Sequence, residues 1–152
     1  MKRIIFLSTM CLMLFRAGGP PAHAQGTVKT GPAPATVRDS DLEKDAMHNL
    51  EVARHYFKLK KAYVAAIQRC EEVIASNPTF ARIDEILFIA GKSSLLLSQG
   101  RGKQSSKLSV AKLREDARAY FSQLVNDYPA SSFRIEAEGD LKALGGIKPK
   151  EQ

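Results

Sequence analysis

The chain has 152 residues, which is enough for one domain with its own hydrophobic core. Apolar residues make up 44% and charged residues 26%, a balance that is ordinary for a globular protein. The formal net charge of +7 would suit a nucleic-acid-binding protein, but three of the positive charges lie in a segment that we expect to be removed. The remaining +4 argues against that class.

Residues 1–24 have the pattern of a secretory signal peptide. Lys2 and Arg3 precede an apolar run over residues 4–15, and an Ala-His-Ala motif ends at Ala24. The run is shorter than the roughly 20 residues that a transmembrane helix needs. We therefore expect cleavage after Ala24 and a periplasmic protein, with peripheral attachment to the outer membrane left open. The alternative is an N-terminal anchor that is retained.

The two cysteines have different expected fates. Cys11 lies inside the apolar run and follows Met10, whereas a lipidation signal has a small residue at that position. We therefore expect no lipid anchor. Cys70 would then be the single thiol of the mature chain, so no intramolecular disulfide can form.

The cleaved chain begins with a leader rich in Gly, Pro, Thr and Ala, which we assign to residues 25–40. Ser40-Asp41-Leu42-Glu43 fits a capping box, in which the Ser40 hydroxyl and the Glu43 carboxylate bind free amides at a helix start. Residues 41–146 are predicted to form the helical domain, and residues 147–152 a short tail.

Apolar residues at three- and four-residue steps predict two helices separated by a tight turn at Lys60-Lys61. The first helix has its apolar stripe at Leu42, Ala46, Leu50, Ala53 and Phe57. The second has its stripe at Tyr63, Ala66, Ile67, Cys70, Val73 and Ile74, and Asn77-Pro78 ends it.

A third helix, at about 81–99, is apolar on several faces, which suggests that it packs on more than one side. Gly100 ends it, and a polar, basic loop without periodicity follows. A fourth helix is predicted at about 110–127. Ser131-Ser132 can cap a fifth helix that Gly145-Gly146 terminates. The predicted class is all-α.

Helices two and four share one spacing. The first copy is Ala66-x3-Cys70-x2-Val73-x4-Pro78 and the second is Ala117-x3-Phe121-x2-Leu124-x4-Pro129. A small Ala allows close approach of two helices, larger residues fill the seam, and Pro forces the exit. The first hairpin resembles a tetratricopeptide repeat, and in the second Leu87, Ala90 and Gly91 fit the close-packed part of its first helix.

The chain resembles the BamD-like outer-membrane assembly lipoprotein family over about residues 46–144. The resemblance lies in Tyr56-Phe57-Lys58, Tyr63-x2-Ala66-Ile67, Asn77-Pro78 and the run from Leu124 to Ser131. It implies a right-handed α-solenoid of about two antiparallel hairpins plus a capping helix. Typical members carry more repeats and a lipidated cysteine, and this chain departs from them in both respects.

The resemblance implies a non-enzymatic scaffold that binds an envelope protein or peptide in a concave groove. The first helix of each hairpin would line that groove with the following residues: His48, Glu51, His55, Lys58, Glu85, Phe88, Lys92 and Leu95. We expect Phe88 to be an exposed apolar anchor surrounded by hydrogen-bond donors. Partners from the outer-membrane assembly machinery and a second copy of the chain both stay open.

Other candidate sites favour structural interpretations. His48, Glu51 and His55 share one helical stripe that could hold a metal, but no further ligand completes it, so we expect neither metal nor cofactor. Cys70 lies on an apolar stripe, which favours core packing over nucleophilic chemistry. We therefore expect no enzymatic activity.

Two alternative functions remain. One is a membrane-associated subunit of the β-barrel assembly machinery, held by its partners. The other is binding of anionic lipid or nucleic acid through a basic loop over residues 100–114. Its basic residues are Arg101, Lys103, Lys107, Lys112 and Arg114. The low mature charge makes nucleic acid the less expected ligand.

Overall fold

The computed structural model describes residues 39–146. The predicted signal peptide, almost all of the leader and the tail lie outside these residues. Within 39–146 the chain forms α-helices and no β-strand, so the predicted all-α class is confirmed. The helices are α1 (Ser40–Arg54), α2 (Tyr63–Ser76), α3 (Ile83–Ser98), α4 (Val110–Asp127) and α5 (Arg134–Ala143).

A π-helical turn, His55–Lys60, extends α1 before the chain reverses into α2. The backbone amides of Lys61 and Ala62 both donate to the carbonyl of Tyr56. Lys61 adopts φ of 52°, the left-handed region, and it is the one non-glycine residue of the described part of the chain with positive φ. The predicted turn is therefore present at Lys61, and the wider turn before it was not predicted.

The start of α1 differs from the predicted capping box. The cap is Asp39, whose carboxylate accepts from the amides of Asp41 at 2.9 Å and Leu42 at 3.4 Å. Asp39 accepts these bonds with a full negative charge at the positive end of the helix, and Ser40 becomes the first helical residue. Glu43 instead accepts from the side chain of Asn77 at 3.3 Å, which ties α1 to the end of α2.

The later helix ends follow local capping rules more closely. The Ser109 hydroxyl caps α4 by accepting from the amide of Lys112 at 3.2 Å. The chain leaves α5 through Gly145 and Gly146, both with positive φ, and the Gly146 amide donates to the Leu141 carbonyl at 2.8 Å. Ser131 lies just before α5, where its hydroxyl accepts from the Phe133 amide and donates to Asp84 of α3.

The third helix lies at the centre of the described structure. It packs mainly against α2 and α4, and buried residues lie on nearly all of its faces. One core cluster joins α3 to α1 and α2, and a second joins it to α4 and α5. At Gly91 an added Cβ would lie 2.7 Å from the ring of Phe121, so the missing side chain permits the close approach of α3 and α4. The predicted packing of this helix on more than one side is confirmed.

Within the described residues, no helix combines the length and the hydropathy that crossing a bilayer would require.

Candidate functional site

The predicted groove divides into two groups of residues with different surroundings. His48, Glu51, His55 and Lys58 are exposed on α1 and its π-helical extension. The four residues predicted on α3 are largely enclosed. The eight residues therefore do not form one continuous surface, and the prediction of a groove that they line together is wrong.

Phe88 is not an exposed anchor, because its side chain is only 7% exposed. Its ring stacks on Phe133, which immediately precedes α5, with centroids 4.8 Å apart and an interplanar angle of 21°. It also contacts Phe121 of α4 at a centroid distance of 6.3 Å. Leu95 is buried in the same cluster. The fifth helix and the residues before it cover the face on which the sequence placed the anchor.

Glu85 is the centre of a buried ion-pair network rather than a partner-binding residue. Its carboxylate accepts two bonds from Arg54 of α1, at 2.6 and 2.7 Å, and one from Arg82 at 2.6 Å. Burial alone would raise the pKa of Glu85, but the hydrogen bond from Arg54 and the charges of Arg54, Arg82 and Lys58 outweigh it. The net result is a lowered pKa. The network fixes the position of α1 relative to α3.

Lys92 makes the corresponding connection between α3 and α5. Its ammonium group lies 2.8 Å from a carboxylate oxygen of Asp140 and 2.8 Å from one of Glu136. Burial opposes the charged form of Lys92, yet hydrogen bonds to Asp140 and Glu136 raise its pKa. Lys92 therefore stabilises the packing of α5, and it is not a free donor for a ligand.

The histidines remain at the surface. His48 lines an open depression of about 630 Å³ between α1 and α2, together with Asp45, Asn49, Glu72, Ala75 and Ser76. Across residues 39–146 no group of three or more His, Cys, Asp or Glu side chains is arranged to hold a metal ion.

Cys70 lies in the core between α1, α2 and α3, with 0% of its surface exposed. Burial raises the pKa of its thiol to about 12, with smaller contributions from the charges of Glu71 and Glu85. A thiol that stays protonated is a poor nucleophile. Its predicted place in the core is confirmed.

The basic loop is anchored against the turn between α1 and α2. The Lys103 amide donates to the Lys61 carbonyl at 3.0 Å. The Gln104 side chain accepts from the amide of Ala65 at 3.2 Å and so satisfies a free donor in the first turn of α2. Gly102 has φ of 103°, and a Cβ there would lie 2.6 Å from the ring of Tyr63. The sequence indicated a loop but not this anchoring.

The charged side chains of this loop point to solvent. Arg101, Lys103, Lys107 and Arg114 are exposed, and Lys112 pairs with Asp116 at 2.6 Å within α4. Two clefts of about 340 Å³ each adjoin the loop, and Leu97, Leu108 and Leu113 contribute to both.

Comparison with known proteins gives no relative for this arrangement. No protein-family model, no curated protein and no solved structure matches the chain.

Proposed function

We propose that the chain is a tetratricopeptide-type adaptor that is exported to the periplasm and binds a protein partner through the exposed face of α1. The supporting observation is the equivalence of the two hairpins. Ala66 and Ala117, the small residues of the shared spacing, are both fully buried. The residues that follow them at equivalent positions, Cys70 and Phe121, then Val73 and Leu124, are also fully buried.

The contacts between hairpins support the same proposal. Arg54 joins α1 to α3 through Glu85, and Lys92 joins α3 to α5 through Asp140. Alternate helices are thus linked by charged pairs, while consecutive helices pack through apolar seams. In a repeat protein each unit packs on its neighbours, and the concave surface that the stacked units form binds partners.

The proposed partner surface is the polar face of α1 and of its π-helical extension, formed by His48, Glu51, His55 and Lys58. Three of these side chains can donate hydrogen bonds, which favours a partner segment with carboxylate groups. The α3 side of the predicted groove is excluded from this surface because its residues bind α1, α4 and α5. A role in outer-membrane protein assembly rests on the family resemblance.

The proposal is tested by affinity capture from an envelope extract. His48→Glu/His55→Glu places two negative charges on the proposed surface and should reduce capture of the partner at least ten-fold, an effect of about 1.4 kcal/mol. Lys142→Glu, on the exposed side of α5, makes the same change in net charge elsewhere and should leave capture unchanged. Circular dichroism first checks that both variants are folded. If the double variant retains every partner of the wild type, the α1 surface is not the binding site.

A further inference from the structure

Within residues 39–146, two long segments contain no acidic residue. Neither Asp nor Glu occurs between Glu51 and Glu71, or between Glu85 and Glu115. The first segment contains the α1–α2 turn, and the second contains the α3–α4 loop. Among residues 39–146, net positive charge is therefore concentrated around these two connections.

The structure joins these connections into one surface. The hydrogen bond from the Lys103 amide to the Lys61 carbonyl, at 3.0 Å, links the loop directly to the turn. Two further contacts link the loop to the start of α2. The Ala65 amide donates to the Gln104 side chain, and Gly102 lies against the ring of Tyr63. We call the resulting surface the basic end. Its exposed cationic residues are Lys60, Lys61, Arg101, Lys103 and Lys107.

The basic end also exposes large aliphatic side chains. Leu59 is 71% exposed, Leu108 is 51% exposed and Val110 is 57% exposed. Leu59 adjoins Lys60, and Leu108 adjoins Lys107, so each lies next to a cation. Leu108 and Val110 also line a cleft beside the loop. The basic end therefore combines cations with exposed apolar area.

Acidic residues gather at the opposite ends of the same helices. Asp41 and Glu43 lie in the first turn of α1, and Asp84 lies in the first turn of α3. The last turns of these two helices lead into the basic end. An anionic surface would therefore attract one end of the molecule and repel the other, which fixes the orientation of binding.

We propose that the basic end docks on the surface of an anionic lipid bilayer. The Lys and Arg side chains would bind lipid phosphates, while Leu59, Leu108 and Val110 enter the interface between headgroups and acyl chains. This combination favours lipid over a nucleic-acid strand, whose bases usually stack on aromatic side chains. The aromatic residues here, Phe57 and Tyr63, pack against each other, and Tyr63 is only 6% exposed. The proposal does not depend on the adaptor function.

The orientation is tested with a tryptophan probe, since the chain contains no tryptophan. Leu108→Trp places the probe at the basic end, and Leu42→Trp places a control at another exposed leucine in the first turn of α1. The protein is purified in the form that results from processing in its own cells. It is then mixed with phosphatidylcholine vesicles that contain one third phosphatidylglycerol. We expect a blue shift and quenching by brominated lipid for Leu108→Trp but not for Leu42→Trp. Equal responses, or no response at Leu108→Trp, would overturn the proposal.

The charge requirement is tested by co-sedimentation with the same vesicles. Lys103→Gln/Lys107→Gln should weaken binding about ten-fold or more, since each cation near an anionic membrane contributes several-fold. Lys44→Gln/Arg134→Gln removes the same charge from near the starts of α1 and α5, at the opposite end, and should change binding less than two-fold. Vesicles of phosphatidylcholine alone measure any contribution of the N-terminal apolar run. Equal losses in the two variants would contradict the proposal, as would binding to a DNA duplex that displaces the vesicles.

Discussion

Gly91 shows how a single missing side chain determines the approach of two helices. An added Cβ would lie 2.7 and 2.8 Å from two ring atoms of Phe121, which is fully buried and cannot move away easily. We therefore predict that Gly91→Ala lowers the free energy of unfolding by about 1–3 kcal/mol, despite the higher helix propensity of Ala.

The matched control is Gly139→Ala in α5, where nothing lies within 4 Å of the added Cβ. That substitution should raise the free energy of unfolding by about 0.5–1 kcal/mol, because it restricts the unfolded chain without a clash. Urea denaturation of the two variants measures both effects. If both substitutions stabilise the protein, α3 and α4 lie further apart than the 2.7 Å approach at Gly91 implies.

Cys70 is predicted to be an inert thiol. Because it is fully buried and its pKa is raised to about 12, native labelling by a thiol reagent should be slow, and labelling in denaturant fast. Cys70→Ser should lower the free energy of unfolding by about 1–3 kcal/mol, the usual cost of a buried hydroxyl without a partner. Peptide mapping distinguishes Cys70 from Cys11. Fast labelling of Cys70 in the native protein would contradict its place in the core.

Glu85 should make stability depend on pH. Its pKa is lowered from 4.5, so its contribution is complete above that value and is lost as the pH falls through the lower folded-state pKa. At neutral pH, Glu85→Gln should cost about 1.5–3 kcal/mol, as expected for hydrogen bonds to a charged group. The difference from wild type should shrink in acid.

Glu72→Gln is the control for Glu85→Gln. Glu72 pairs with Arg69 at 2.6 Å, but both side chains are more than 40% exposed. An exposed pair of this kind contributes about 0–1 kcal/mol. Thermal unfolding across a pH series compares the two variants, and a pH-independent loss in Glu85→Gln would show that its charge is not the stabilising feature.

At the scale of the helix, local rules predicted most of the structure. The bounds of α4 match the predicted 110–127, with Pro129 just beyond its end, and the buried stripe of α2 follows from its periodicity. The cap of α1 was missed because Asp39 and Ser40 are both good capping residues and adjacent. The π-helical turn His55–Lys60 was missed because a single wider turn hardly changes the 3.6-residue spacing of apolar residues along the sequence.

Contacts between distant helices explain what the sequence could not predict at the candidate site. Periodicity placed Phe88 on a face of α3, but it cannot say that Phe133 covers that face. Likewise, Glu and Lys usually lie at the protein surface, so residue type alone indicates that Glu85 and Lys92 are exposed. Their partners Arg54 and Asp140 lie 31 and 48 positions away, too far for any local pattern to reveal them.

At the scale of the whole molecule, α3 belongs to both large core clusters. Ile86 and Ile89 face α1 and α2, while Leu87 and Phe88 face α4 and α5. Neither half can unfold without exposing one side of this helix. The two hairpins should therefore unfold together.

We predict that substitutions in either half shift one shared unfolding transition. Leu50→Ala in α1 and Leu141→Ala in α5 each remove a buried side chain and should cost about 2–5 kcal/mol. Because α3 couples the halves, both variants should lower the same urea midpoint while the slope of the transition stays unchanged. Circular dichroism follows all helices, and the Leu42→Trp probe, introduced into each variant, follows α1 alone. If Leu141→Ala lowers the midpoint seen by circular dichroism but leaves the α1 probe at its original midpoint, the hairpins unfold separately and α3 does not couple them.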